Sequence, residues 1–285
     1  MIEKYINVQS AKFDKLHCFK FESLNEFKDF LTNNLTNQQI CNANWFYEYK
    51  KRFYCNSVEE CFEYIEKGYP NKAKTLAKTV KMTSKAFQQG SQPRIEHDNY
   101  YYGSRPNIQN TLIGLPKTMV RQRKQPKPKK ILNVLIETAV SWSVTKKDYE
   151  YFFNNALACV YKLALKGYSI RLSLLNCFSL GHRNTLPTIV VNLKHESQPF
   201  NLTRLSYPSV GLSFFRMLSY CCFYDHYLRA RHPEEICGVG GETLYRSKND
   251  GARLDILNAI SEPNTTMIYV NYNSDLERTF NIWTF

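Results

Sequence analysis

Acidic residues are scarce in one part of this chain and ordinary elsewhere. Residues 67–130 carry 15 Lys/Arg and two Asp/Glu, against 8 and 10 in residues 1–66 and 15 and 13 in residues 131–285. The middle segment alone therefore accounts for the formal net charge of +13, a property that bears on partners rather than on fold. Also missing is any apolar run near the roughly 18 residues a membrane-spanning helix needs. The start, Met1-Ile-Glu-Lys-Tyr-Ile-Asn7, lacks the apolar core of a secretory signal. These absences predict an unexported, cytoplasmic chain with no membrane partner. No two of the nine cysteines stand in Cys-x-x-Cys spacing, which speaks against zinc and redox motifs and for reduced, mostly buried thiols.

Catalytic signatures are equally thin. Gly238-Val-Gly-Gly-Glu242 is glycine-rich but has no Walker-type Gly-Lys-Ser/Thr, and no Gly-x-Ser-x-Gly element occurs. Asp225, His226 and His232, with Cys221 and Cys222, supply nucleophile and base types, yet they lie along an aromatic helical pattern that suits core and surface roles. His182 and His195 lack ligand spacing, and no recurring acidic set suggests two-metal chemistry. The expectation is a protein that is not an enzyme and needs no cofactor.

What is present falls into two regions, a basic N-terminal region of mixed structure with a linker arm over residues 1–129 and an α/β domain over 130–285. Ser23-Leu-Asn-Glu26 and Ser57-Val-Glu-Glu60 have capping-box spacing, which predicts helices near 24–33 and 58–67. Asn44-Trp-Phe-Tyr-Glu-Tyr49 between them is aromatic core or strand material. A third helix is predicted over 70–87, starting at Pro70 and ending before Gly90. At 100° per residue, Lys74, Lys78, Lys81 and Lys85 of that helix fall within about 60° of one another. Ala73, Leu76, Ala77, Val80 and Phe87 gather opposite. A solvated face is the ordinary meaning of such a ridge. The ridge has no acidic i,i+4 partners to offset its repulsion, however, and that favours a polyanion as its partner.

Asn99-Tyr-Tyr-Tyr-Gly-Ser-Arg-Pro106 reads as a loop in which Tyr100, Tyr101 and Tyr102 neighbour Arg94 and Arg105. Interleaved rings and cations suit single-stranded nucleic acid, where bases stack on aromatics and cations follow phosphates. A core edge or a protein interface uses tyrosines in the same way. Arg121, Arg123, Lys124, Lys127, Lys129 and Lys130 follow, and Pro126 and Pro128 among them predict an extended arm or linker.

From Lys130 onward strand and helix patterns alternate. Strands are predicted over 131–140, 168–175, 188–193 and 266–270. A long helix begins near Thr145 and closes at Gly167, an aromatic helix spans 213–230, and a short one spans 254–260. Strand, helix and strand in succession imply a right-handed crossover and a mainly parallel sheet with flanking helices.

Several stretches together carry a family resemblance: Glu66-Lys-Gly-Tyr-Pro70, Arg105 to Met119, Ser141-Trp-Ser-Val144, Lys166-Gly-Tyr-Ser-Ile170, Pro199 to Pro208 and Leu212-Ser-Phe-Phe-Arg216. Over roughly residues 45–230 the chain resembles an uncharacterised family of bacteriophage and prophage proteins whose C-terminal part is von Willebrand factor A-like. The resemblance implies a Rossmann-type fold and brings no activity with it. Such domains usually hold a divalent cation through Asp-x-Ser-x-Ser at the end of the first strand. Here Ser141 and Ser143 stand in place, but Ala139 replaces the aspartate and Glu137 lies one pleat earlier. Those three residues, Glu137, Ser141 and Ser143, are the candidates for a metal. The reading preferred for the two serines is capping or turn formation.

The functional expectation is a phage-encoded nucleic-acid-binding protein. Its alternatives are a virion structural or assembly protein that contacts other phage proteins or itself, and a metal-dependent binder of a protein ligand.

Overall fold

The computed structural model describes residues 1–7, 15–34, 58–85, 95–101, 105–124, 131–138, 144–177, 185–208, 218–219, 222–223, 257–258, 260, 265–272, 274–276 and 279. For 58, 70–71, 81–85, 95–100, 121–124 and 146 only the backbone is described. The predictions for Asn44–Tyr49, Arg94, Ala139–Ser143 and Gly238–Glu242, and for most of 213–230 and 254–260, lie outside these residues.

A six-stranded sheet forms the centre. Strand β6 (Ile131–Glu137) is buried from Leu132 onward, and Leu132, Val134, Leu135 and Ile136 supply the apolar surface that burial on both faces requires. Thr145 then caps a long helix, its Oγ1 accepting from Asp148 N–H at 3.2 Å. That helix, α5 (Lys146–Leu165), buries Phe153, Ala156, Leu157 and Val160. It stops at Gly167, whose φ of +93° suits a residue without Cβ, and Tyr168 N–H donates to Leu163 O at 3.2 Å. The chain returns as β7 (Ser169–Cys177), parallel to β6 as predicted. Strand β8 (Thr185–Lys194) then runs antiparallel to β7, and β9 (Thr266–Val270) pairs parallel on the other side of β6.

The same sheet takes in the first residues of the chain. Strands β1 (Ile2–Asn7) and β2 (Lys15–Phe21) pair antiparallel, and β2 lies parallel to β8 with Lys15 opposite Thr185 and Phe21 opposite Val191. Sheet order is β1-β2-β8-β7-β6-β9. Phe19, Phe21, Val134, Leu174 and Ile189 belong to one core cluster, with Leu24, Phe27 and Leu31 of α1 (Leu24–Asn34). Cys61 and Ile65 of α2 (Val58–Lys67) and Leu76 and Val80 of α3 (Pro70–Lys85) join that cluster. Residues on both sides of position 130 therefore share one sheet and one core.

Two stretches of the family resemblance meet in space. Gly68 (φ +81°) joins α2 to α3, and a Cβ there would lie 1.9 Å from Thr203 O. Thr203 belongs to α6 (Leu202–Leu205), a single helical turn. Tyr69 N–H donates to Ser206 Oγ at 2.8 Å, and Cys61 Sγ lies 2.9 Å from Tyr207 Oη. Gly-Tyr at 68–69 and Ser-Tyr at 206–207 thus form one packed junction.

A second, three-stranded antiparallel sheet is made by β3 (Ile95–Tyr100), β4 (Arg105–Pro106) and β5 (Met119–Lys124), in the order β3-β5-β4. The one-turn helix α4 (Ile108–Leu112) lies in the β4–β5 connection. This sheet corrects two expectations. The stretch 99–106 is not simply a loop, since Asn99 and Tyr100 end β3 and Arg105 starts β4. The arm is not free along its first half either, since Arg121, Arg123 and Lys124 lie in β5, hydrogen-bonded along β3.

Candidate nucleic-acid interface

The predicted lysine ridge sits on α3, which packs against α5 and α6. Leu76 and Val80 are buried at 1% and 2% exposure, whereas Lys74 and Lys78 are exposed. Two fully buried aliphatics contribute on the order of 1.5–3 kcal/mol each, so the helix has one firmly held orientation. Among the described residues neither Lys74 nor Lys78 has an ion-pair partner. Nearby carboxylates are engaged elsewhere: Glu66 with Lys28, Glu63 with Lys67 at 2.7 Å, and Glu60 with Tyr64 Oη at 2.5 Å. The Lys28 ammonium beside it holds the Glu66 carboxyl below its ordinary range, and Glu63 raises Lys67 in turn. Lys72, on the opposite side of the helix from the ridge, points to the protein body. Its Nζ meets Glu150 Oε2 at 2.8 Å, while burial pushes the Glu150 carboxyl up. The α3 backbone continues through Lys81 and Lys85 with the same helical spacing.

The small sheet gathers a second set. Tyr100 ends β3 opposite Met119, and Tyr101 is exposed at 65% immediately after it. Lys117 Nζ stands 6.0 Å from the Tyr101 ring centroid, within cation–π reach. Lys117 was missed in the sequence because it is 16 positions from Tyr101; only the β4–β5 connection brings it there. Arg105, exposed, lies opposite Val120. Along β5 the register sets Asp98 opposite Arg121 and Glu96 opposite Arg123. Those two carboxylates are the only ones between residues 67 and 130. Tyr102, Lys127, Lys129 and Lys130 lie outside the described residues. The fold therefore brings Tyr100, Tyr101, Arg105, Arg121, Arg123 and Lys124 to one sheet and keeps Lys74, Lys78, Lys81 and Lys85 on one helix. No strand pairing or hydrogen bond among the described residues joins the two groups.

The third candidate set is at the carboxyl ends of the parallel strands, where β6 lies between β7 and β9 and the chain's direction of winding reverses, the usual ligand position of an open α/β sheet. Glu137 is fully buried, and its Oε2 accepts from Tyr269 Oη on β9. A carboxylate committed to an internal hydrogen bond is poorly placed to ligate an ion. Thr138, one residue on, donates its N–H to Leu175 O at 2.8 Å, and the Ser274 hydroxyl lies 2.9 Å from Asn271 N–H and 3.0 Å from Asn271 Oδ1. Ser141 and Ser143 lie outside the described residues, and among the described residues no group of three or more His, Cys, Asp or Glu is placed to hold a metal. Burial pushes the Cys18 thiol up to about 12 and raises Cys177 well above its ordinary value, the latter helped by the Glu137 charge. Both are free thiols of low nucleophilicity. His195, set aside in the sequence, lies with Nε2 3.5 Å from Glu22 Oε2.

A mostly parallel central sheet flanked by helices defines an α/β protein of Rossmann-like build. The chain belongs to the family described as Domain of unknown function (DUF7192), whose model matches residues 7–261. No curated protein and no solved structure matches it.

Proposed function

We propose that this protein binds single-stranded nucleic acid through the lysine face of α3, without catalysing a reaction on it. The observation that carries this reading is the contrast within one helix. Leu76 and Val80 anchor α3 to the core and Lys72 is matched by Glu150, while Lys74 and Lys78 stand exposed with no carboxylate partner among the described residues. An unmatched cation row on a fixed helix is a low-entropy surface for phosphates, and counterion release supplies the affinity. Tyr101 with Lys117 beside its ring adds a stacking position. The proposal also reads the C-terminal half as von Willebrand A-like and the protein as phage-encoded, acting in the host cytoplasm. The crossover from β6 through α5 to β7 supports the fold part of that reading.

The test is a titration of labelled single-stranded DNA and RNA with the full chain at several salt concentrations. Binding whose log affinity falls linearly with log salt, by about 0.7 per phosphate neutralised, is the expected result. Absence of binding at low salt rejects the proposal.

A further inference from the structure

Most of the connection between β4 and β5 is exposed. Ile108, Leu112 and Ile113 are 68%, 80% and 70% exposed, Leu115 is 45% exposed, and no residue of α4 is buried. A helix that docks on its own fold keeps one face covered, so this element is a protruding tip rather than an uncovered face. Patches of large aliphatics are normally buried in soluble proteins and mark contact sites where they are not.

The tip is rigidly built. Asn107 Oδ1 caps α4 by accepting from Asn110 N–H at 3.2 Å, Thr111 Oγ1 donates to Asn107 O at 2.9 Å, and Asn110 Nδ2 donates to Lys117 O at 2.9 Å. Ile113 N–H reaches Gln109 O, Gly114 N–H reaches Thr111 O and Leu115 N–H reaches Asn110 O at 3.1, 3.2 and 2.9 Å. Gly114, at φ +69°, turns the chain back with open space around it. Internal satisfaction of its polar groups lowers the cost of taking the tip out of water. Arg105 and Lys117 are exposed at its base, and no Asp or Glu occurs from residue 99 to residue 130.

We propose that residues 107–118 are a membrane-contact tip that inserts Ile108, Leu112, Ile113 and Leu115 into the interface of a lipid surface bearing anionic headgroups, with Arg105 and Lys117 at the headgroups. The charge at the base selects an anionic partner and disfavours a second copy of the same basic tip. An element without a buried residue suits a deformable apolar layer, which needs no groove to receive it. This is peripheral binding and is independent of spanning; among the described residues no helix is long and apolar enough to cross a membrane. It shares Lys117 with the stacking position proposed above, but the nucleic-acid reading is carried by Lys74 and Lys78.

The experiment is co-sedimentation of the full chain with phosphatidylcholine vesicles with or without phosphatidylglycerol. Partitioning onto the phosphatidylglycerol vesicles and little onto phosphatidylcholine alone is expected. Leu112→Ser with Ile113→Ser should lower it at least about tenfold, and Lys117→Gln about fivefold. The serine variant should still bind single-stranded DNA as the parent does, which shows that it folds and separates the two readings. In an Ile113→Trp variant, vesicles should shift the added fluorescence to the blue. Failure to bind either vesicle overturns the proposal and leaves an acidic protein as the tip's partner. Anionic-vesicle binding that survives the serine changes overturns it as well, because the basic helix then makes the contact.

Discussion

Asp98 stands directly opposite Arg121 across the antiparallel pair of β3 and β5, and Glu96 stands opposite Arg123 two residues along. Opposed positions share a sheet face, where unlike charges favour the pairing and like charges oppose it. In backbone register, the segment's only two acidic positions therefore lie opposite two of its arginine positions. Neutralising both, as Glu96→Gln with Asp98→Asn, should raise affinity for single-stranded DNA and steepen its salt dependence by up to about 1.4 in the logarithmic slope. Filter binding at several salt concentrations measures this. An unchanged slope would mean that β5 is not part of the interface.

Reversing the ridge tests the face on which the proposed function rests. Lys74→Glu with Lys78→Glu should weaken nucleic-acid binding at least tenfold at low salt, by roughly two lost phosphate contacts and two new repulsions. Both side chains are exposed and unpaired among the described residues, so stability should change by no more than about 0.5 kcal/mol per site. Melting curves beside the binding isotherms separate the two effects. A large drop in melting temperature would place the ridge inside a packing contact.

The elements that were legible in the sequence are those whose signals are local. Val58–Lys67 and Thr266–Val270 lie where capping and strand patterns put them, and Gly167 ends α5 because a positive φ is needed within a few residues of the last turn. The lysine side of α3 was visible because helical spacing alone defines it. Strand β2 was not. Lys15-Leu-His-Cys-Phe-Lys-Phe21 mixes charge with apolar residues, and its burial comes from pairing with β8 about 170 positions away. Strand β3, Ile95-Glu-His-Asp-Asn-Tyr100, has almost no apolar alternation, and its register is visible only against β5. Sequence spacing carries no such information, so an extended arm or linker over 121–130 is all that the residues predict where 121–124 are paired in β5. Of the site, the helix was legible and the Tyr101 with Lys117 pairing was not.

Gly68 should tolerate no side chain. Its φ of +81° already disfavours an L-residue, and a Cβ would overlap Thr203 O at 1.9 Å. The obstacle is backbone of α6, which is itself tied to Tyr69 through Ser206, so relief requires parting the α2–α3 corner from its partner. Gly68→Ala should destabilise the fold by about 3 kcal/mol or more. Urea denaturation would show it; a loss below about 1 kcal/mol would mean that the junction is loosely held.

Acid sensitivity follows from Glu196. Its own backbone N–H and then the Arg171 guanidinium, whose Nη2 lies 2.8 Å from Oε2, hold its carboxyl below the ordinary value of 4.5. A carboxyl lowered by folding adds stability that is complete above the unfolded-state value and is lost as pH falls through the folded one. The contribution should therefore be present at pH 6 and disappear progressively below about pH 4.5. Glu196→Gln keeps the side chain's shape but removes the charge, so it should lower the melting temperature at pH 6, by a margin that shrinks as pH falls below about 4.5. The two melting curves should converge on acidification; a gap that stays constant with pH would assign the effect to packing and not to the Arg171 pair.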